Sequence, residues 1–430
     1  MTKQLISMLL STIIGTSSMC TPSMPAQSSG FVASPTYPAA ISYHDYDARA
    51  QVREQNQVEE NFLQAVKDFT AKTSAPLFSG KENACYSPVS LYFALSLSAA
   101  GAHGTTQQQL LSLLGVKDAA SLTDSCAKLY RQLYADNEMG SLKIANSLWM
   151  ADHILGQPVT FEQDFLNTAT KDFYASLYTG DLTAASTLSD MAKWVEDNTG
   201  GKITPKFQAD PLALLYLMNT IYFKDQWVSQ FSESSNTVDT FHLADGKTID
   251  ATFMHQTESS SIFHGNGYTT AGLGLRNYGS IYFVLPDEGV SLDSLLTAER
   301  LPEIFSSVSG DYTRIIWSVP KFTYNTDLNL NKMLQSTGVT DIFDKSCADL
   351  SRMTKTAAYL SNAKQQTYIA LDENGVEAAA YTELGFSSTG AIPSEEPIAF
   401  TLDRPFLYFI TSNDNTPLFV GVCVQSTAAK

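Results

Sequence analysis

Apolar side chains recur at helical spacing through Val58, Phe62, Ala65, Val66 and Phe69. Such a stripe predicts an amphipathic helix with one buried face. Leu77-Phe78 and the turn Ser79-Gly80-Lys81 follow, then a short apolar strand around 84–86. Ser87-Pro88 opens a second helix that runs to about Gly101. Proline fits the first helical position, and a serine before it caps the exposed N–H groups. The interior of this helix, with Leu91, Phe93, Ala94, Leu95, Leu97 and Ala99, is apolar on nearly every side, which predicts a buried central position. A third helix opens at Thr105-Thr106, carries Leu110, Leu111 and Leu114, and ends at Gly115.

Further along, strand-like apolar runs dominate: 143–150, 214–223, 280–285, 315–319, 367–371, 406–410 and 418–424. Helical stretches over 161–173, 188–198 and 328–337 alternate with them. No break in composition divides the series, and no period of 20 to 50 residues repeats. One large α+β domain over 51–430 is the expectation.

The amino terminus differs. Lys3 precedes an apolar run over 5–14, too short to span a bilayer but suited to an export signal, so 1–20 is read as a signal peptide. Cleavage after the small residues Thr16-Ser17-Ser18 would release the chain; lipidation of Cys20 would instead anchor it. Pro, Ser, Gly and Ala are in excess over 21–50, which is read as a linker. The expected location is extracellular or at the cell surface.

Charge narrows the choice of partner. The chain carries 27 basic and 44 acidic residues, a net charge of −17, and no basic run offsets it. That field repels nucleic acid and anionic membranes, leaving a lipid anchor as the only membrane contact to expect. Cys85, Cys126, Cys347 and Cys423 are widely spaced without a CxxC pair, so no zinc site is expected. They read as four buried thiols, with a Cys85–Cys423 bridge as the alternative.

Enzyme chemistry finds no footing. None of the six histidines sits in HExxH or beside a cysteine in a ligand pattern. The nucleophile elbow, the dinucleotide fingerprint and the P-loop are all missing. Ser361-Asn362-Ala363-Lys364 matches SxxK but precedes a strand instead of starting a helix. No metal or other cofactor is called for.

Four separated segments carry a family resemblance. They are Asn83-Ala84-Cys85-Tyr86-Ser87-Pro88-Val89-Ser90, Leu217-Met218-Asn219-Thr220-Ile221-Tyr222-Phe223-Lys224-Asp225-Gln226-Trp227, Asp372-Glu373-Asn374-Gly375-Val376-Glu377-Ala378-Ala379-Ala380, and Asp403-Arg404-Pro405-Phe406 with Pro417-Leu418-Phe419-Val420-Gly421. Together, in this order, they resemble the serpins. The resemblance implies three β-sheets, eight or nine helices and an exposed reactive-centre loop, here about 373–400. It also implies a hinge at Glu373, Gly375, Val376, Ala378, Ala379 and Ala380. Ser87, Ser90, Asn219, Trp227 and Gln365 match the region where the main sheet opens; Gln365 stands where the family typically has histidine.

Some serpins do not inhibit, so the loop residues matter. In a strand alternate side chains enter the core, and the inward set counted from Val376 is Val376, Ala378, Ala380, Thr382 and Leu384. None is charged; a buried charge there would stall insertion. Glu377, Tyr381 and Glu383 fall on the outward set. An inserted strand of about 15 residues at roughly 3.3 Å each spans about 50 Å; the spacing from Glu373 that the resemblance implies then puts the scissile bond at Thr389-Gly390, with Phe386-Ser387 as the alternative. The reading is a suicide-substrate inhibitor: its partner a serine protease of elastase, subtilisin or chymotrypsin type held as a covalent acyl complex, with a cysteine protease as the second class, and the inhibitor itself a monomer. A non-inhibitory binding or chaperone serpin is the alternative.

Overall fold

The computed structural model describes residues 30–376 and 396–427. Among these, nine α-helices surround sheets of eight, nine and two strands, which matches the expected α+β architecture. The eight-stranded sheet positions the site. Its members include β1 (Phe31–Ala33), β2 (Ser141–Ala151), β3 (Ala175–Gly180), β4 (Leu215–Gln226), β5 (Phe322–Asn329), β6 (Lys364–Leu371) and β7 (Gly375–Val376). They lie side by side as β1-β3-β2-β4-β7-β6-β5. The two-residue β7 is antiparallel to both neighbours, so β4 and β6 run parallel to each other on either side of it. Among the described residues no ladder joins β4 directly to β6.

The nine-stranded sheet is threaded by the 18-residue strand Thr248–Gly265, which pairs with Thr237–His242, Tyr268–Gly274 and Asp311–Pro320. Strand Ile398–Thr401 forms one edge, parallel to Asp311–Pro320. The residues 377–395, which include most of the expected reactive-centre loop, lie outside the described residues.

Two cores hold the sheets. The larger lies around the helix Pro88–Gly101, whose Val89, Leu91, Phe93, Leu95 and Leu97 are all buried. Each such side chain contributes roughly 1.5–3 kcal/mol. Ser87 caps this helix, accepting the Ser90 N–H at 3.2 Å. The smaller core joins Trp149, Met191, Trp194, Val195 and Met218, packing the helix Ala185–Asn198 onto β2 and β4.

Several boundaries differ from the pattern reading. The helix expected over 328–337 is the end of β5 followed by a short helix, Asn331–Ser336. Helix Ala119–Leu133 went unread because serine, threonine and lysine interrupt its buried stripe. Structure also begins inside the stretch read as a linker. Strand β1 extends the main sheet at its edge, Tyr37 stacks on Tyr134 and Tyr174, and Tyr46–Gln55 is helical. A three-residue strand and single aromatic anchors leave no periodicity to detect. The thiols need one correction: Cys85, Cys126 and Cys423 are buried, but Cys347 is exposed, because it sits in the polar turn Asp344-Lys345-Ser346-Cys347. All four are free; no Cys85–Cys423 bridge forms.

Candidate functional site

The segment expected to serve as the hinge begins with a tight turn. The Asp372 N–H donates to the Gly375 carbonyl at 3.1 Å, and the Asn374 N–H donates to the Asp372 carboxylate at 2.8 Å. Trp227, fully buried at the end of β4, grips this turn from the side. Its indole N–H donates to the Asp372 carbonyl at 2.9 Å and its backbone N–H to the Asn374 carbonyl at 3.0 Å.

Gly375 and Val376 then enter the sheet. Gly375 pairs with Gln226, and Val376 with Asp225 on one side and Leu371 on the other. Val376 is 0 % exposed. A Cβ on Gly375 would stand 2.1 Å from the Asp225 carbonyl oxygen. Rigid backbone occupies that space, so only glycine passes there.

Glu373 points into the protein and is only 4 % exposed. The Lys321 ammonium donates to both its oxygens at 2.8 Å, and the Asn236 amide donates to one of them. Burial pushes the carboxyl pKa up, but Lys321 and Asn236 outweigh it, and the net shift is downward. Asp225, beside Val376, pairs with no cation among the described residues. Its carboxylate accepts N–H groups from Gln226 at 2.9 Å, Tyr278 at 3.1 Å and Asn277 at 3.0 Å. Burial dominates, and its pKa is raised to about 7.

A polar chain crosses beneath the middle of the sheet. From β6, the Gln365 side chain accepts the Ser87 N–H at 2.8 Å and donates to the Ser87 carbonyl at 3.1 Å. The Ser87 hydroxyl donates to the Leu418 carbonyl at 2.7 Å, and Ser90 donates to the Asn219 side chain on β4. Asn219 donates to Asn146 on β2 at 2.8 Å, and Asn146 to the Phe173 carbonyl at 2.7 Å. The chain thus links strands on both sides of β7. Gln365 performs neutral hydrogen bonding at this position, with no titratable ring.

Ser87, Ser90, Asn219 and Gln365 are brought together, while Trp227, Glu373, Gly375 and Val376 form a separate cluster around the turn. Sequence reading missed Asn146, Lys321, Asn236 and Asp225. A polar Asn146 in the apolar run 143–150 was the one local signal; the other three acquire their partners only through the fold. Ala378, Ala379, Ala380, Phe386, Ser387, Thr389, Gly390 and Cys20 lie outside the described residues, as does the expected signal peptide. Among the described residues there is no group of acidic, cysteine or histidine side chains able to hold a metal ion, and no helix long and apolar enough to cross a membrane.

The family model described as Serpin (serine protease inhibitor) matches residues 60–426. Serpin-ZX of Arabidopsis thaliana is 27 % identical over 403 residues, covering 88 % of this chain and 99 % of its own. Serpin B11 of Homo sapiens is 30 % identical over 370 residues, covering 79 % and 92 % respectively. Among solved structures, the thermophilic serpin tengpin in its native state superimposes with a TM-score of 0.76 at 26 % identity, over 86 % of this chain and 95 % of that one. The family match spans most of the chain, and the chain belongs to the serpin family.

Proposed function

We propose that this serpin inhibits serine proteases as a suicide substrate. The observation that carries the reading is Val376: the residue that would begin an inserted strand is already seated between β4 and β6, paired with Asp225 and Leu371. Continued at the two-residue period of a strand, the chain would next bury Ala378 and Ala380, both small and uncharged. The protease hydroxyl attacks the carbonyl of Thr389, the bond to Gly390 breaks, and the nitrogen of Gly390 leaves protonated as the acyl-enzyme forms. Phe386-Ser387 is the second candidate bond. The freed segment then extends β7 before water attacks the ester, and the attached protease is dragged away and distorted. Control is kinetic, because the uncut state is not the most stable one.

No lysine or arginine lies between Glu377 and Asp403, which favours elastase-, subtilisin- or chymotrypsin-like targets over trypsin-like ones. The apolar run over 5–14 supports export, with Cys20 lipidation as the tethered form. The deciding experiment incubates the full chain with a panel of such proteases. A complex that survives hot detergent, and a released peptide beginning at Gly390, are the expected results. Clean cleavage without complex ends the inhibitory reading and leaves a binding or chaperone serpin.

A further inference from the structure

A cavity of about 460 Å³ lies between the helix Tyr46–Gln55, the end of the helix Ala119–Leu133, and the turns at 277–278 and 412–414. That volume falls within the roughly 300–1,000 Å³ of small-molecule sites. Val52, Val58 and Leu63 are among its apolar walls. Its floor is tied down: the Tyr278 hydroxyl donates to the Leu133 carbonyl at 2.7 Å, and the Asn137 amide to the Asn277 side chain at 2.8 Å.

Two guanidinium groups line the same space. Arg49 is fixed, donating to the Tyr43 carbonyl at 3.0 Å and lying 4.9 Å over the Tyr43 ring. Arg53 is exposed and makes no ion pair or hydrogen bond among the described residues. Asp414, the single carboxylate of the lining, is committed to its own turn by Ser412 and by the Thr416 hydroxyl at 2.9 Å. A cation in the last turn of a helix complements the helix dipole, which accounts for Arg53 on its helix. It does not account for an apolar cavity beside two cations in a chain of net charge −17.

We propose that this cavity binds a small amphipathic monoanion, a carboxylate or sulfonate whose apolar body packs against Val52, Val58 and Leu63 while its charge meets Arg53 and Arg49. Such a ligand neither needs nor tests loop insertion, so failure of one reading leaves the other intact.

The test uses 8-anilinonaphthalene-1-sulfonate on the full chain, with uncharged N-phenyl-1-naphthylamine as its counterpart. The expected result is saturable one-to-one fluorescence enhancement, with the neutral probe weaker by about tenfold or more. Arg53→Glu should weaken the anionic probe by a similar factor, and Val58→Trp, which fills the space, should abolish binding. Arg53 is exposed, so its variant decides the matter even if Val58→Trp fails to fold. Non-saturable binding, equal binding of the neutral probe, or a probe indifferent to Arg53→Glu would each overturn the proposal.

Discussion

Val376 pairs with Asp225 across the main sheet, so the first residue of the proposed inserting strand lies beside a carboxylate with no access to solvent. Among the described residues the neighbours of that carboxylate are N–H groups of Gln226, Asn277 and Tyr278, not a cation. Hydrogen bonds pull its pKa down, but burial wins. The fold therefore holds the proton more tightly than the unfolded chain does.

A pH dependence follows. The folded pKa of Asp225 is about 7 against an ordinary value of 3.8, a raised value. Its stabilising contribution is complete below the unfolded value and is lost as pH rises through the folded one. Asp225→Asn cannot ionise. Thermal midpoints of both proteins, followed from about pH 5 to pH 8, should show the wild type falling more steeply than the variant. Parallel profiles would mean that Asp225 is ionised throughout and held by its donors alone.

The Glu373–Lys321 pair predicts the opposite sign. Its folded pKa is depressed, so the stability it contributes is present above the unfolded value near 4.5 and is lost as pH falls through the folded one. Lys321→Met strands a buried carboxylate and should cost about 3–5 kcal/mol. Glu373→Gln should cost less, because the Lys321 side chain is 35 % exposed and its charge can be hydrated instead. Urea midpoints at pH 7 measure both. Equal costs would show that Lys321 contributes no more than an exposed charge.

Gln365 offers a test of the polar chain. Gln365→Leu leaves the buried Ser87 N–H without its partner, while the Ser87 carbonyl keeps the Leu91 N–H at 3.1 Å. One unsatisfied buried group costs about 1–3 kcal/mol, so a loss of roughly that size is expected in denaturant unfolding. A loss below about 1 kcal/mol would mean that water or a neighbouring side chain replaces the amide.

How far these features were legible depended on how local their cause is. The stripe Val58 to Phe69 became the helix Glu60–Ser74, and Ser87 caps its helix as its type and position suggest, because periodicity and capping act within a few residues. Strands with both faces buried, such as Ser141–Ala151, show as apolar runs. Thr248–Gly265 escaped notice because most of its residues are only partly buried, which blurs the alternation. At the hinge, Gly375 and Val376 were recognisable by family likeness, yet the reason Gly375 must lack a side chain, the Asp225 carbonyl, lies 150 residues earlier. Lys321 and Glu373 are 52 residues apart. Pairings of that range arise from topology, which no window of sequence contains.

The hinge gives the sharpest test of loop insertion. Val376 is fully buried and lies between two ladders, so an arginine there would have to place its charge in the core or keep the chain out of the sheet. Desolvating an unpaired charge costs several kcal/mol, and the second course is the cheaper one. Val376→Arg should therefore fold, with the turn at 372–375 still held by Trp227, but with the following residues excluded from the space between β4 and β6. If trapping depends on rapid insertion, deacylation now outruns it: the variant should be cleaved as a substrate, with the yield of detergent-resistant complex falling at least tenfold. Ala380→Arg places the same obstacle four residues later. Because insertion could then start and stall, a part of the gain in thermal midpoint on cleavage should survive in Ala380→Arg and be lost in Val376→Arg. Identical complex yields for both variants and the wild type would remove insertion between β4 and β6 from the mechanism.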